Sequence, residues 1–250
     1  MLRCNVAVAS PPPGRCGRLR PTLEELLVPP QAIMPVGYCE RASQAFWAEP
    51  MNALSNGAFI LAAIAGLLLC QRSRRRDWPA AALIALVLMI GIGSFLFHTM
   101  PQRWTLLADV LPIQFFAFSY FGLALVRFMR VRPAVAVGGI LAFVLASVLL
   151  EAGLGALLPP GMRGSAGYVS FVLALFGVAF AVRRRNGGDP AAGLIGLAGL
   201  VFALSLTLRT LDLVLCQAVP SGTHWLWHLL NALVLYLLLR AAIERPSASL

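Results

Sequence analysis

Lysine is absent from this sequence: all twenty basic residues are arginines, set against ten acidic ones. Charge of either sign is scarce, at 12% of residues, where a soluble domain carries about a quarter. That scarcity, with 59% hydrophobic residues, excludes an ordinary soluble globule and makes the chain a polytopic membrane protein. The formal net charge of +10 points at first to nucleic acid. The arginines, however, cluster at the ends of apolar runs, where charge sets membrane orientation, so no nucleic-acid partner is expected. No His-Glu-x-x-His motif occurs, which argues against a zincin protease. Histidine occurs only three times.

Residues 1–33 hold Pro11-Pro12-Pro13 and four arginines, and no apolar run long enough to span a bilayer or to form a signal h-region. They read as a disordered leader or as an overextended start, with Met34 as the alternative initiator. Residues 34–245 then form one membrane domain. Its apolar segments lie near 51–70, 79–99, 106–126, 134–157, 166–182, 190–215 and 223–240, each judged against the roughly 20 residues a helix needs to cross hydrocarbon. The expected fold is all-α, a seven-transmembrane-helix bundle.

The connections orient it. Arg72, Arg74, Arg75 and Arg76 mark the first loop, Arg127, Arg130 and Arg132 the third, and Arg183, Arg184 and Arg185 the fifth. Arg240 and Arg245 follow the last segment, whereas the even loops hold only Arg103 and Arg163. The positive-inside rule therefore predicts a cytoplasmic C-terminus and a non-cytoplasmic N-terminus. In that frame His98 ends helix two, Asp109 begins helix three, and His224 and His228 begin helix seven. All fall at one depth near the outer face, on the same side as Glu40 and Glu49.

His224 and His228 are four apart and share a helix face. Ionisable groups in such helices are costly and face a bundle interior or wet cavity. Three imidazoles gathered this way suggest a zinc site with an open fourth position for water. Asp109 is the candidate base, and Ser94, one turn before His98, the candidate oxyanion donor. Gly91 and Gly93 permit close helix approach beside them. Arg209 and Asp212, three apart on helix six, read as an intramembrane pair.

Tyr38-Cys39-Glu40, Phe46-Trp47-Ala48-Glu49-Pro50 and Asn52-Ala53-Leu54-Ser55-Asn56 together resemble the start of the first helix in the alkaline ceramidases. Ser94-Phe95-Leu96-Phe97-His98 with Asp109-Val110-Leu111-Pro112 is similar to that family's second block, and Thr223-His224-Trp225-Leu226-Trp227-His228 to its third. The resemblance runs in order from about residue 37 to 241 and extends to the wider group that includes the progestin and adiponectin receptors. It implies a seven-helix hydrolase that cleaves ceramide into a sphingoid base and a fatty acid. It also implies zinc on His98, His224 and His228, with Ser94 and Asp109 beside it.

One block departs from the family pattern. Eukaryotic members carry a calcium site whose Asp and Asn ligands are replaced here by Gly37 and Ala42, leaving Glu40 and Glu49. Calcium takes 6–8 oxygens, so calcium dependence is expected to be weak or absent, and the two glutamates are read as bracing the first helix. The topology brings Cys39 and Cys216 to the outer face, where a disulfide persists. Two other readings stand beside the amidase: a lipid receptor that keeps structural zinc, and a haem protein with two axial histidines.

Overall fold

The computed structural model describes residues 37–73, 76–185 and 187–244. The leader assigned to 1–33, together with Arg74, Arg75 and Arg245, lies outside the described residues. Among the described residues eight α-helices follow one another: α1 (Pro50–Ser55), α2 (Gly57–Arg72), α3 (Trp78–Thr99), α4 (Arg103–Arg127), α5 (Pro133–Leu157), α6 (Ala166–Arg185), α7 (Pro190–Leu215) and α8 (His224–Glu244). A 3₁₀ turn, Pro160–Ser165, leads into α6. With α1 and α2 joined, seven segments are long and apolar enough to cross a membrane. The chain is an all-α, multi-pass membrane bundle.

Helix starts follow local chemistry. Pro at the first or second position sets φ for α1, α3, α5 and α7. Asp77 caps α3 by accepting from the Ala80 N–H at 3.1 Å, and Asp189 caps α7 through the Ala191 N–H at 3.0 Å. Helix α8 is the most enclosed of the seven spans and α5 the most exposed, as befits a lipid-facing wall.

Helices α3 and α4 approach closely at Gly93. A Cβ at Gly93 would run into the Ala108 backbone carbonyl. Pro112 lies four residues after Ala108 and has no N–H, so that carbonyl has no intrahelical donor. Two sequence features therefore bring the two backbones together where Ser94 and Asp109 face each other.

The opposite end of the bundle is clamped by charge. Arg127 donates to both Asp77 carboxylate oxygens, at 2.8 and 2.9 Å, and to the Ala242 carbonyl at 2.7 Å, which ties α3, α4 and α8. Burial raises the Asp77 pKa, but hydrogen bonds from Arg127 and the Ala80 N–H outweigh burial and hold it below the usual carboxylate range.

Candidate metal centre and lipid cavity

His98 from α3 and His224 and His228 from α8 are all buried, and their ligating atoms lie within 4.8 Å of one another. Two of the rings are held in a defined tautomer. His98 Nδ1 lies 2.5 Å from Glu49 Oε2, so its Nδ1–H donates to the carboxylate. Ser55 gives its one proton to the Asn52 carbonyl at 2.9 Å. The 2.7 Å contact between His228 Nδ1 and Ser55 Oγ is then a bond donated by the ring. Both imidazoles keep Nε2 for a metal, the arrangement that orients metal-binding histidines. Nδ1 of His224 is buried with no partner among the described residues. This donor set fits a small divalent cation.

Glu49 anchors the centre from outside. It is buried and accepts from His98, from Arg41 Nε and from Asn52 Nδ2 at 3.0 Å. Burial pushes its pKa up, but the hydrogen bonds with His98, Asn52 and Arg41 win and hold it below its ordinary value. Arg41 also donates to the carbonyls of Ser43 (3.2 Å) and His98 (2.8 Å). Glu40 acts elsewhere, on the helix itself. Its two oxygens accept the N–H groups of Met51 (2.6 Å) and Asn52 (2.8 Å) at the start of α1. The two glutamates of the residual calcium block are thus engaged separately, and the cation beside Glu49 is Arg41.

Asp212 is not paired with Arg209. Its carboxylate accepts from three backbone N–H groups: Cys39 at 3.1 Å, Thr223 at 2.6 Å and His224 at 2.9 Å. The reason is the helix terminus: the first N–H groups of α8 have no intrahelical partner and favour a negative charge. Gly222, at φ +65°, makes the turn, and a Cβ there would collide with the Asp212 carboxylate. Asp212 so fixes the backbone of His224 and the N-terminal segment together. Cys39 and Cys216 are disulfide-bonded beside it, with Cα atoms 5.2 Å apart, while Cys70 is a free thiol.

Tyr38 covers the cluster, its ring centroid 4.1 Å from His224 and 5.2 Å from His98. Burial pushes its phenol pKa up, above its ordinary value. Ser94 and Asp109 line a cavity of about 180 Å³ with His224 and His228. Apart from Arg209 and Asn231, the rest of the wall is apolar or aromatic, from Phe59 and Ile113 to Phe143 and Leu238. The contacts made by Glu49, Ser55, Asp212 and Arg41 are not legible in the sequence. Asn52, Ser55 and Asn56 do share a helix face there, a signal that this face meets something polar.

A membrane bundle that keeps a metal-competent polar cluster beside a mainly apolar cavity is suited to act on a lipid. Comparison with known families makes this specific: residues 34–244 match the ceramidase family, and the chain belongs to it. It is a hydrolase that acts on the amide bond of ceramide. Comparison with curated proteins finds no match.

Proposed function

We propose a zinc-dependent intramembrane amidase that hydrolyses a ceramide-like N-acyl sphingoid lipid. The observation that carries this reading is that Ser94, Asp109, His224 and His228 line one mainly apolar cavity, with His98 in the same histidine cluster. His98, His224 and His228 would hold the zinc. The bound ion supplies Lewis-acid activation of water and of the amide carbonyl.

The chain's own groups do the rest. The apolar wall takes the acyl chain and presents the amide to the polar end. As a water oxygen bonds to the carbonyl carbon, Asp109 takes the water's proton, and the C=O electrons move to oxygen. The C–N bond then breaks, the electron pair goes to nitrogen, and Asp109 returns the proton there. A fatty acid and a free amine leave. Ser94 has one proton: bonded to Asp109 it aims the base, and re-aimed it donates to the oxyanion. Glu49 and Ser55 fix the two rings whose Nε2 atoms would hold the metal.

We place this site at the non-cytoplasmic face, with the C-terminus in the cytoplasm. The arginine distribution supports that orientation. So does the disulfide at the site end, since such bonds persist in oxidising compartments.

Purified variants would be assayed for bound metal by elemental analysis and for released fatty acid. His228→Ala is expected to lose metal and activity together. Asp109→Asn should keep the metal and lose about 10²–10⁴-fold in turnover, and Ser94→Ala about 10²–10³-fold. An Asp109→Asn enzyme as fast as wild type would remove Asp109 as the base. Full metal and full activity in His228→Ala would overturn the site.

A further inference from the structure

The cavity contains a cation that the hydrolytic mechanism does not use. Asp212 on α7 bonds the N–H groups of Thr223 and His224, so it is level with the start of α8. Arg209 is three residues further into the bundle, about 4.5 Å at a 1.5 Å rise, and His228 is about 6 Å in from His224. Arg209 therefore lies at the depth of the histidine pair. It lines the same cavity as Asp109, His224 and His228. Its charge acts on Tyr38, Asp109 and both of those histidines.

The groups that hold it are neutral. Nη1 donates to Ser165 Oγ at 2.9 Å, and the guanidinium lies over the rings of Tyr168 (5.1 Å) and Trp227 (5.4 Å). Among the described residues no carboxylate is within ion-pair distance, and Asp212, its neighbour on the helix, is used by backbone N–H groups. Aromatic faces recover part of the cost of such a charge. They leave the edge of the fork, where a guanidinium binds paired oxygens, without an anion. With a dication held by the imidazoles, one carboxylate and one guanidinium would leave the cavity with an excess of positive charge, which would favour a negative ligand.

We propose that Arg209 is an anion-binding residue of the substrate cavity, receiving a carboxylate, sulfonate or phosphate group at the level of the histidines. This rests on the amidase reading. The anion has two sources: an acidic head group on the amine half of the N-acyl lipid, or the carboxylate of the released fatty acid.

The test compares wild type, Arg209→Gln and Arg209→Lys in detergent. Two N-acyl lipids with the same acyl chain are assayed, one with a neutral hydroxyl head and one with a sulfonate. Fatty-acid inhibition is measured in parallel. An acidic-head enzyme is expected to prefer the sulfonate in kcat/KM, with the preference falling about 10- to 100-fold in Arg209→Gln and partly kept in Arg209→Lys. A product role is expected to leave head selectivity unchanged and to weaken fatty-acid inhibition by a similar factor in Arg209→Gln. Unchanged head selectivity together with unchanged inhibition overturns the proposal, while hydrolysis of the neutral lipid leaves the amidase reading standing. A binding arm needs no turnover: a long-chain alkyl sulfonate should raise the Tm of wild type more than the alcohol of equal length does. That difference should vanish in Arg209→Gln. An equal shift by both probes in wild type also overturns the proposal.

Discussion

Between Arg41 and His98, the Glu49 carboxylate accepts from both, with Asn52 as a third donor. Such a carboxylate sets the tautomer of the ring it faces, and losing its charge typically costs 10–100-fold in metal affinity. Glu49→Gln is therefore expected to lower metal occupancy by about that factor without touching Asp109, as read by titration with a competing chelator. Arg41 supplies a cation of its own beside Glu49, with oxygens of Ser43 and His98 around it. A chelator selective for calcium is accordingly expected to leave turnover unchanged. Arg41→Ala should lose metal and regain it in part with added guanidinium ion. A large loss restored by calcium alone would show that an external ion, not Arg41, occupies that place. The sequence marks Glu40 and Glu49 at the start of the first helix. It does not show that one caps α1 while the other holds His98, because that split depends on how the segment before α1 folds back over α3. Asp212 is hidden for a similar reason: spacing along α7 suggests Arg209, but spacing says nothing of the α8 terminus that approaches from outside the helix.

The helices themselves are legible in the sequence, because a run of about 20 apolar residues has few other folds in a bilayer. The differences lie at their ends. The last helix continues past Arg240 to Glu244, since these two residues pair at 2.7 Å one turn apart and let the helix run on beyond the apolar stretch. The glycines of α3 point to close approach from the sequence alone, and Gly93 carries a consequence that can be measured. Gly93→Ala is expected to push α4 away from α3, separate Ser94 from Asp109 and reduce turnover at least tenfold, an overpacking cost of about 1–3 kcal/mol. Gly138→Ala on α5, where an added Cβ meets nothing within 4 Å, is the control and should be silent. Equal activity in both would remove the close approach from the account. At the other end of the bundle the clamp between α3 and α4 depends on pH. Asp77 has a lowered folded pKa, so its contribution is present above its unfolded value of about 3.9 and is lost as pH falls through the folded value. Asp77→Asn is expected to lower Tm near neutral pH, and the gap to wild type should close on acidification below about pH 4. A gap that stays constant with pH would show that the Asp77 charge is not what Arg127 holds.

Across the whole molecule, residues from 38 to 228 meet at one end of the bundle, and the arginines alone foretell that meeting in the sequence. The convergence is legible because charge at helix ends is a one-dimensional signal, while the side of the membrane that this end faces is a prediction. The cavity is not legible, because its walls are apolar residues indistinguishable in sequence from those that face lipid. A cytoplasmic reporter on the C-terminus is expected to be active. An active external reporter and a silent cytoplasmic one would reverse the orientation. Breaking the Cys39–Cys216 bond should destabilise the site end by on the order of 2–5 kcal/mol, seen as a lower Tm in reductant. A Cys39 thiol that reacts freely in air-handled protein would contradict this.

Two of the three histidines stand on α8, and Asp212 ties the start of α8 to the N-terminal segment, which the disulfide joins to the end of α7. A ribosome makes α8 after the other six spans. A nascent or prematurely terminated chain that lacks it has His98, Asp109 and Ser94 but neither partner imidazole. On the proposed mechanism, lipid hydrolysis would begin only once the latest span is in place. Partial translation products would then leave the surrounding bilayer untouched, and completed insertion would be the moment of activation.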